Sequence, residues 1–96
     1  MEYAVYVAVP RGEDGDLIAR AASASAPPEV DFSVREKSDP SESAVELCFR
    51  IRGPKLSDEA VAIALEIYRL GREAAGLPPD RQAQASLSAQ SEERAQ

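Results

Sequence analysis

The segment from Lys55 to Leu77 constrains the fold of this chain more than any other part of the sequence. Its apolar residues recur at alternating steps of three and four, which places them in one stripe along a helix, and charged residues occupy the opposite face. Ser57 is a suitable N-cap, and Gly76 with Pro78 and Pro79 shortly after it indicates where the helix ends. The pattern therefore predicts an amphipathic helix that must pack against a second layer. The predicted stripe contains Ala60, Ile63, Ile67, Leu70, Ala74 and Leu77, widened by Val61, Ala64, Leu65 and Tyr68.

Gly71 interrupts this predicted helix at an interior position. Glycine in a helix interior costs about 1 kcal/mol relative to alanine. Either another element packs closely against this position, or the glycine reflects neutral drift.

Three further segments alternate apolar and polar side chains, as half-buried strands do. They cover residues 3–9, 29–36 and 43–53. The last two are joined by a polar turn built on Asp39 and Pro40, which predicts an antiparallel hairpin.

A second, shorter helix is predicted between the first two strands. Asp14 or Asp16 can cap it, and it should run over residues 17–26 until two prolines stop it. Its predicted buried side contains Leu17, Ile18, Ala21 and Ala24.

The order strand, helix, strand, strand, helix predicts an α+β two-layer sandwich. The first two strands should be parallel through a right-handed crossover, and the third should lie between them, antiparallel to both. Both helices should cover one face of this three-stranded sheet. Over residues 3–77 the arrangement resembles an incomplete ferredoxin-like fold that lacks the final strand, and this likeness in element order implies no function. Residues 1–79 are predicted to form a single domain, and residues 80–96 a disordered or loosely helical tail.

The composition excludes several kinds of chemistry. The 96 residues, enough for one domain, include no histidine and a single cysteine, Cys48. The usual zinc sites, Ser-His-Asp and Cys-His catalysis and an internal disulfide are therefore not open to this chain by itself. We expect no catalytic residues, no metal and no cofactor. We interpret the acidic residues Glu13, Asp14 and Asp16 as turn and helix-cap residues rather than cation ligands.

Charge and hydropathy bear on partners and location. A formal net charge of -6 argues against a general nucleic-acid binder, because phosphate contacts need a basic surface. No apolar run approaches about 20 residues, and the N-terminal segment lacks the basic region of a secretory signal. We therefore expect a cytoplasmic protein that does not enter a membrane. The abundance of alanine, arginine, glutamate and proline is typical of high-GC bacteria or their phages.

The first strand presents an edge of a kind that soluble proteins rarely leave bare. With the third strand central, residues 3–9 would expose unpaired backbone groups beside apolar side chains. We predict that this strand pairs with another chain, most simply its own copy in a twofold dimer and otherwise a partner's strand. The alternative is that the tail or the first loop covers the edge within one chain. The predicted edge residues are Tyr3, Val5, Val7 and Val9.

The alternation also predicts which side chains point away from the helices. The residues beneath the helices should be Val5, Val7, Val30, Phe32, Leu47, Phe49 and Ile51. The opposite face should show Ala4, Tyr6, Ala8, Ser33, Arg35, Glu46, Cys48, Arg50 and Arg52. On that face we predict a binding site made of Tyr6, Arg35, Cys48, Arg50 and Arg52. The alternative is an ordinary solvated face whose arginines pair with glutamates such as Glu46.

These features predict a small, acidic, non-enzymatic interaction or accessory protein. It would form a homodimer through strand one or the open sheet face, or bind an unidentified protein partner. One alternative is a small-molecule binder or minimal enzyme with a pocket on the open sheet face. Another is a single-stranded nucleic-acid binder that stacks bases on Tyr6, which ranks last because one aromatic side chain is a poor stacking platform.

Overall fold

The computed structural model describes residues 2–39 and 44–87. Its elements, in chain order, are β1 Glu2–Ala8, α1 Gly15–Ser25, β2 Asp31–Asp39, β3 Ala44–Arg52, α2 Ser57–Ala74 and β4 Ala85–Leu87. The predicted α+β class and the order of the first five elements are confirmed. The predicted turn at Pro40 and residues 88–96 of the predicted tail lie outside the described residues, and the domain boundary after residue 79 stays a prediction.

The strands form one sheet in the order β2-β3-β1-β4. β3 lies between β1 and β2 and is antiparallel to both, so β1 and β2 run parallel as the sequence predicts. In the β2-β3 hairpin, Asp31 lies opposite Arg52 and Asp39 lies opposite Ala44. This register fixes the face of the sheet on which the side chains of residues 31–37 and 45–52 lie.

A fourth strand distinguishes the structure from the three-stranded sheet that the sequence predicts. β4 is antiparallel to β1, with Leu87 opposite Val5 and Ala85 opposite Val7. The element order is therefore that of the ferredoxin-like arrangement, with a final strand of 3 residues. Three residues are too few for an alternating pattern to be recognised, and Ala85 and Ser86 have little strand preference.

The core lies between the two helices and one face of the sheet. The sheet residues buried there are Val5, Val7, Leu47, Phe49 and Ile51, with Val30 and Phe32 partly buried against them. This is the set that the alternating pattern predicts. Full burial of a side chain such as Phe49 contributes about 2–3 kcal/mol relative to exposure, so these residues fix which face of the sheet the helices cover.

The two helices approach each other most closely at Gly71. A Cβ atom placed there would lie 2.8 Å from the Cβ of Ala22 and 3.0 Å from the carbonyl oxygen of Ile18. Side-chain carbons do not approach other atoms this closely, so any larger residue would push the helices apart. The glycine is therefore explained by close packing.

The buried side of α1 differs from the predicted one. Ile18 is buried as expected, but Leu17 is 46% exposed and Ala24 is also exposed. The buried positions are Gly15, Ile18, Ala19 and Ala22. In an alanine-rich helix hydropathy defines the stripe only weakly, so the close contact with α2 decides which side is buried.

The capping residues agree with the sequence prediction except at the start of α2, and α1 begins at Gly15, two residues earlier than predicted. The Asp14 carboxylate caps α1 by accepting hydrogen bonds from two backbone N–H groups of the first turn, at 3.0 and 3.3 Å. Ser57 is not the N-cap of α2, because Leu56 takes that position without a side-chain hydrogen bond. Gly76, with φ of 78°, adopts the left-handed conformation expected after the last turn.

Candidate functional site

The predicted binding residues lie together on the face of the sheet that the helices do not cover, which we call the open face. Tyr6 lies opposite Cys48, and Cys48 lies opposite Arg35 on the other neighbouring strand. Arg50 and Arg52 follow Cys48 on the same side of β3, because side chains alternate along a strand. The open face consists of Glu2, Ala4, Tyr6, Ala8, Asp31, Ser33, Arg35, Lys37, Glu46, Cys48, Arg50 and Arg52.

Exposed ion pairs neutralise much of the charge on the open face. An Nη atom of Arg50 lies 3.2 Å from a Glu2 carboxylate oxygen, and one of Arg52 lies 3.9 Å from an Asp31 oxygen. The arginines thus pair with carboxylates, although the partners are not Glu46. Each such surface pair contributes about 0–1 kcal/mol to stability. The pairs matter more for binding, because both guanidinium groups already have an anionic neighbour.

The centre of the open face is nearly flat. A depression beside Cys48 and Arg35 encloses about 170 Å³, whereas ligand pockets usually enclose about 300–1,000 Å³. The Cys48 residue is only 6% exposed. The Nζ atom of Lys37 lies 5.0 Å from the centroid of the Tyr6 ring, a cation–π contact that occupies one face of the ring.

β4 lies along the edge of β1 that the sequence predicts as a site for another chain. It pairs with residues Val5–Val7. Val9 is buried like the other predicted edge valines, and the Tyr3 hydroxyl donates a hydrogen bond to the Lys55 carbonyl at 3.1 Å. β1 is therefore not the bare edge expected of a three-stranded sheet. Pairing of Val5–Val7 with another chain requires β4 to leave, and the pairing of this edge with another chain stays a prediction.

A buried polar cluster, not anticipated from the sequence, joins α2 to the segments before α1 and after α2. The Arg72 residue is 3% exposed, forms an ion pair with Glu13 and donates a 2.9 Å hydrogen bond from Nε to the Pro78 carbonyl. The Tyr68 hydroxyl donates to an Asp80 carboxylate oxygen at 2.9 Å. Within the described ranges every buried side-chain nitrogen or oxygen has a hydrogen-bond partner. A charge buried in this way requires such pairing.

The same cluster borders a concave site between α2 and the segment that follows it, which we call the α2 groove. The groove encloses about 480 Å³, within the range of small-ligand sites. Its apolar lining includes Leu65, Leu77 and Ala83, and its polar lining includes Tyr68 and Asp80. No pattern in the sequence indicates this groove, because the lining residues Pro79, Asp80 and Ala83 lie at or beyond the predicted domain boundary.

Tyr68 is expected to lose its phenolic proton only at unusually high pH. Burial raises the pKa of Tyr68 above its ordinary value of 10.0, and the hydrogen bond to Asp80 raises it further by favouring the neutral phenol. Above that ordinary value the unfolded chain releases this proton while the folded chain retains it, so this group lowers the stability of the fold as pH rises through that window. Below that ordinary value both the folded and the unfolded chain keep the proton, so Tyr68 does not make stability depend on pH there.

The measurement is a spectrophotometric titration of phenolate absorbance in the folded protein and in denaturant. The folded protein should show a fraction of the absorbance change delayed beyond pH 10, and Tyr68→Phe should remove that delayed fraction. If Tyr68→Phe instead removed absorbance that develops near pH 10, the assignment of the shift to Tyr68 would be wrong.

The acidic residues near the start of α1 each cap a helix or form an ion pair. Asp14 caps the helix, Asp16 forms an ion pair with Arg20, and Glu13 pairs with Arg72. No group of three His, Cys, Asp or Glu side chains suited to a metal ion occurs within residues 2–39 and 44–87. No helix of that same part of the chain is long and apolar enough to cross a membrane.

Comparison with known proteins gives no family assignment. No family model matches this sequence, and no curated protein or solved structure is similar to it at a significant level.

Proposed function

We propose that this chain is a small non-enzymatic interaction protein that forms a homodimer through its open face. The observation that carries the proposal is the asymmetry of the sheet: both helices cover one face, and the other has Ala4, Tyr6 and Cys48 near its centre and Ala8 at the end of β1. Small and aromatic side chains on a flat sheet suit face-to-face packing, in which two sheets lie about 10 Å apart. The twofold symmetry of most homodimers lets one patch serve as both partners.

The charges of the open face support self-association. Because Arg50 pairs with Glu2 and Arg52 with Asp31 within one chain, these two guanidinium groups should not repel each other strongly when two copies meet. The chain as a whole has a formal net charge of -6, so contacts between its other surfaces are disfavoured.

The size of the open face predicts a weak dimer. β1 has 7 residues and β2 and β3 have 9 each, and at about 4.8 Å between strands and about 3.3 Å per residue these three strands present roughly 400 Å². Stable interfaces bury about 800 Å² per partner, so this dimer should dissociate on dilution.

The same geometry argues against the other functions considered for this face. A depression of about 170 Å³ is too small for most ligands. Lys37 occupies one face of the Tyr6 ring, which leaves little ring surface on which a base could stack. Arg50 and Arg52 are already paired with carboxylates, so they are poor partners for phosphates. A cytoplasmic location is part of the proposal, supported by the unpaired, buried Cys48, since secreted domains of this size often rely on disulfides.

The test is the native mass over a concentration series, by light scattering after size exclusion and by sedimentation. The wild-type chain should shift from one to two chains in mass as concentration rises. The double variant Ala4→Lys/Ala8→Lys should remain a monomer, because it adds two like charges to the open face. Its matched control is Ala62→Lys/Ala74→Lys, which makes the same change at two exposed positions of α2 and should dimerise like the wild type.

Circular dichroism of each variant establishes that it is folded. A wild-type monomer at every concentration would refute the proposal. A dimer that survives the open-face lysines would place the interface elsewhere, and the edge of β1 would become the first surface to examine.

A further inference from the structure

The α2 groove has the form of a ligand site with one carboxylate that lacks a cationic partner. Asp80 accepts one hydrogen bond from the Tyr68 hydroxyl at 2.9 Å and one from the backbone N–H of Gln82 at 3.1 Å. No salt bridge to Asp80 occurs among the residues that the structure describes, whereas the other charged groups of the groove are paired. A carboxylate oxygen has two acceptor positions, so Asp80 can accept further hydrogen bonds from a ligand.

The two arginines of the groove are already neutralised. Arg72 pairs with Glu13, and its Nε is bonded to the backbone. Arg69 lies 3.7 Å from Glu73 and also pairs with Glu66. The local charge available to a ligand is therefore negative and lies at Asp80. This favours a cation over a carboxylate or phosphate.

The remaining lining selects for an apolar body. Leu65, Leu77 and Ala83 are partly exposed and line the groove, which encloses about 480 Å³. Removal of this surface from water by a ligand contributes about 25 cal/mol per Å². A ligand that combines an apolar body with an amine matches both the walls and the carboxylate.

We infer that the α2 groove binds small hydrophobic amines, with the ammonium group hydrogen-bonded to Asp80 and the apolar body against Leu65, Leu77 and Ala83. This activity is independent of the proposed dimer, because α2 lies on the side of the sheet opposite the open face. A dimer through the open face would leave the groove accessible, so either proposal can fail without the other.

The test is a titration of the full chain with cyclohexylmethylamine, followed by backbone amide chemical shifts in NMR spectra. Cyclohexylmethanol and cyclohexanecarboxylate serve as probes of the same apolar body without the cation. We expect the amine to shift signals of residues lining the groove, and to bind about tenfold or more tightly than the alcohol, as a charged hydrogen bond implies. The carboxylate should bind more weakly than the alcohol.

Two variants and one control separate the contribution of the Asp80 charge from that of the apolar space in the groove. Asp80→Asn keeps an acceptor for the Tyr68 hydroxyl but removes the charge, so the amine should bind about tenfold more weakly and the alcohol unchanged. Ala83→Leu occupies part of the groove without removing a polar contact and should weaken the binding of both. Asp58→Asn, at the start of α2 and outside the groove, should bind the amine as the wild type does.

Equal binding of amine and alcohol, an unchanged affinity in Asp80→Asn, or shifts confined to other surfaces would each overturn the inference, as would no shift at millimolar amine. If Asp80→Asn disturbs the segment after α2, the spectra will show it. The amine-to-alcohol ratio and Ala83→Leu then still decide the question.

Discussion

Replacing Arg72 with alanine is expected to lower the free energy of unfolding by about 3 kcal/mol, because it breaks a buried ion pair and leaves Glu13 without its partner. Arg72 is 3% exposed and Glu13 retains 21% side-chain exposure, so the penalty should lie at the lower end for buried pairs. The Pro78 carbonyl also loses its donor. The measurement is a urea denaturation curve followed by circular dichroism.

Arg69→Ala is the matched control for this prediction. Arg69 lies on the same helix with a side chain that is 56% exposed, and its ion pairs are with Glu66 and Glu73 on the surface. Its removal should cost less than about 1 kcal/mol. Equal losses from the two substitutions would show that Arg72 does not act as a buried, paired charge.

Replacing Gly71 with leucine is expected to lower the free energy of unfolding by about 3 kcal/mol or more, because the contact of α1 with α2 has no room for a side chain. Even a Cβ would meet the Cβ and Cα atoms of Ala22 and the carbonyl oxygen of Ile18, at 2.8 to 3.0 Å. Two of these atoms belong to the backbone, so no change of side-chain rotamer can move them away. The helices must therefore separate, which also exposes part of the core.

The same denaturation experiment measures this effect, with Ala74→Leu as its control. The sequence pattern places Ala74 in the buried stripe, but the residue is exposed near the end of α2, so leucine there should change stability by less than about 0.5 kcal/mol. Gly71→Ala should fall between the two, since the gain of about 1 kcal/mol in helix preference opposes the overpacking. A Gly71→Leu variant as stable as the wild type would mean that the helices are not in contact at this position.

The regular part of the fold could be predicted because each element carries its own pattern. The alternation of Val45, Leu47, Phe49 and Ile51 assigned one face of β3 to the core, and by the same period it placed Cys48, Arg50 and Arg52 on the open face. The termini of α2 and the hairpin turn then allowed few arrangements of the elements. The residues of the open face are thus the part of the candidate site that the sequence could supply.

The remaining features depend on contacts between distant parts of the chain. Arg72 resembles an exposed helix arginine until Glu13, 59 positions earlier, is seen to pair with it. One signal was present, since Arg72 is four residues after Tyr68 and eight after Ala64, and therefore on the buried side of the helix. β4 and the groove residues that follow α2 carry no comparable signal, because their contacts with β1 and α2 are not reflected in any local periodicity.

The short pairing of β4 with β1 affects how well the protein resists aggregation at high concentration. β4 comes from the far end of the described chain, so its pairing with β1 closes the longest loop in the sheet. The 3 residues of β4 contribute little free energy to offset the entropy lost in closing that loop. In fluctuations of the native state, detachment of β4 should therefore cost much less free energy than opening of the core. During each such detachment, the backbone groups of β1 become available to another molecule. Resistance to aggregation then depends on how rarely β4 detaches from β1, and much less on the global stability of the fold.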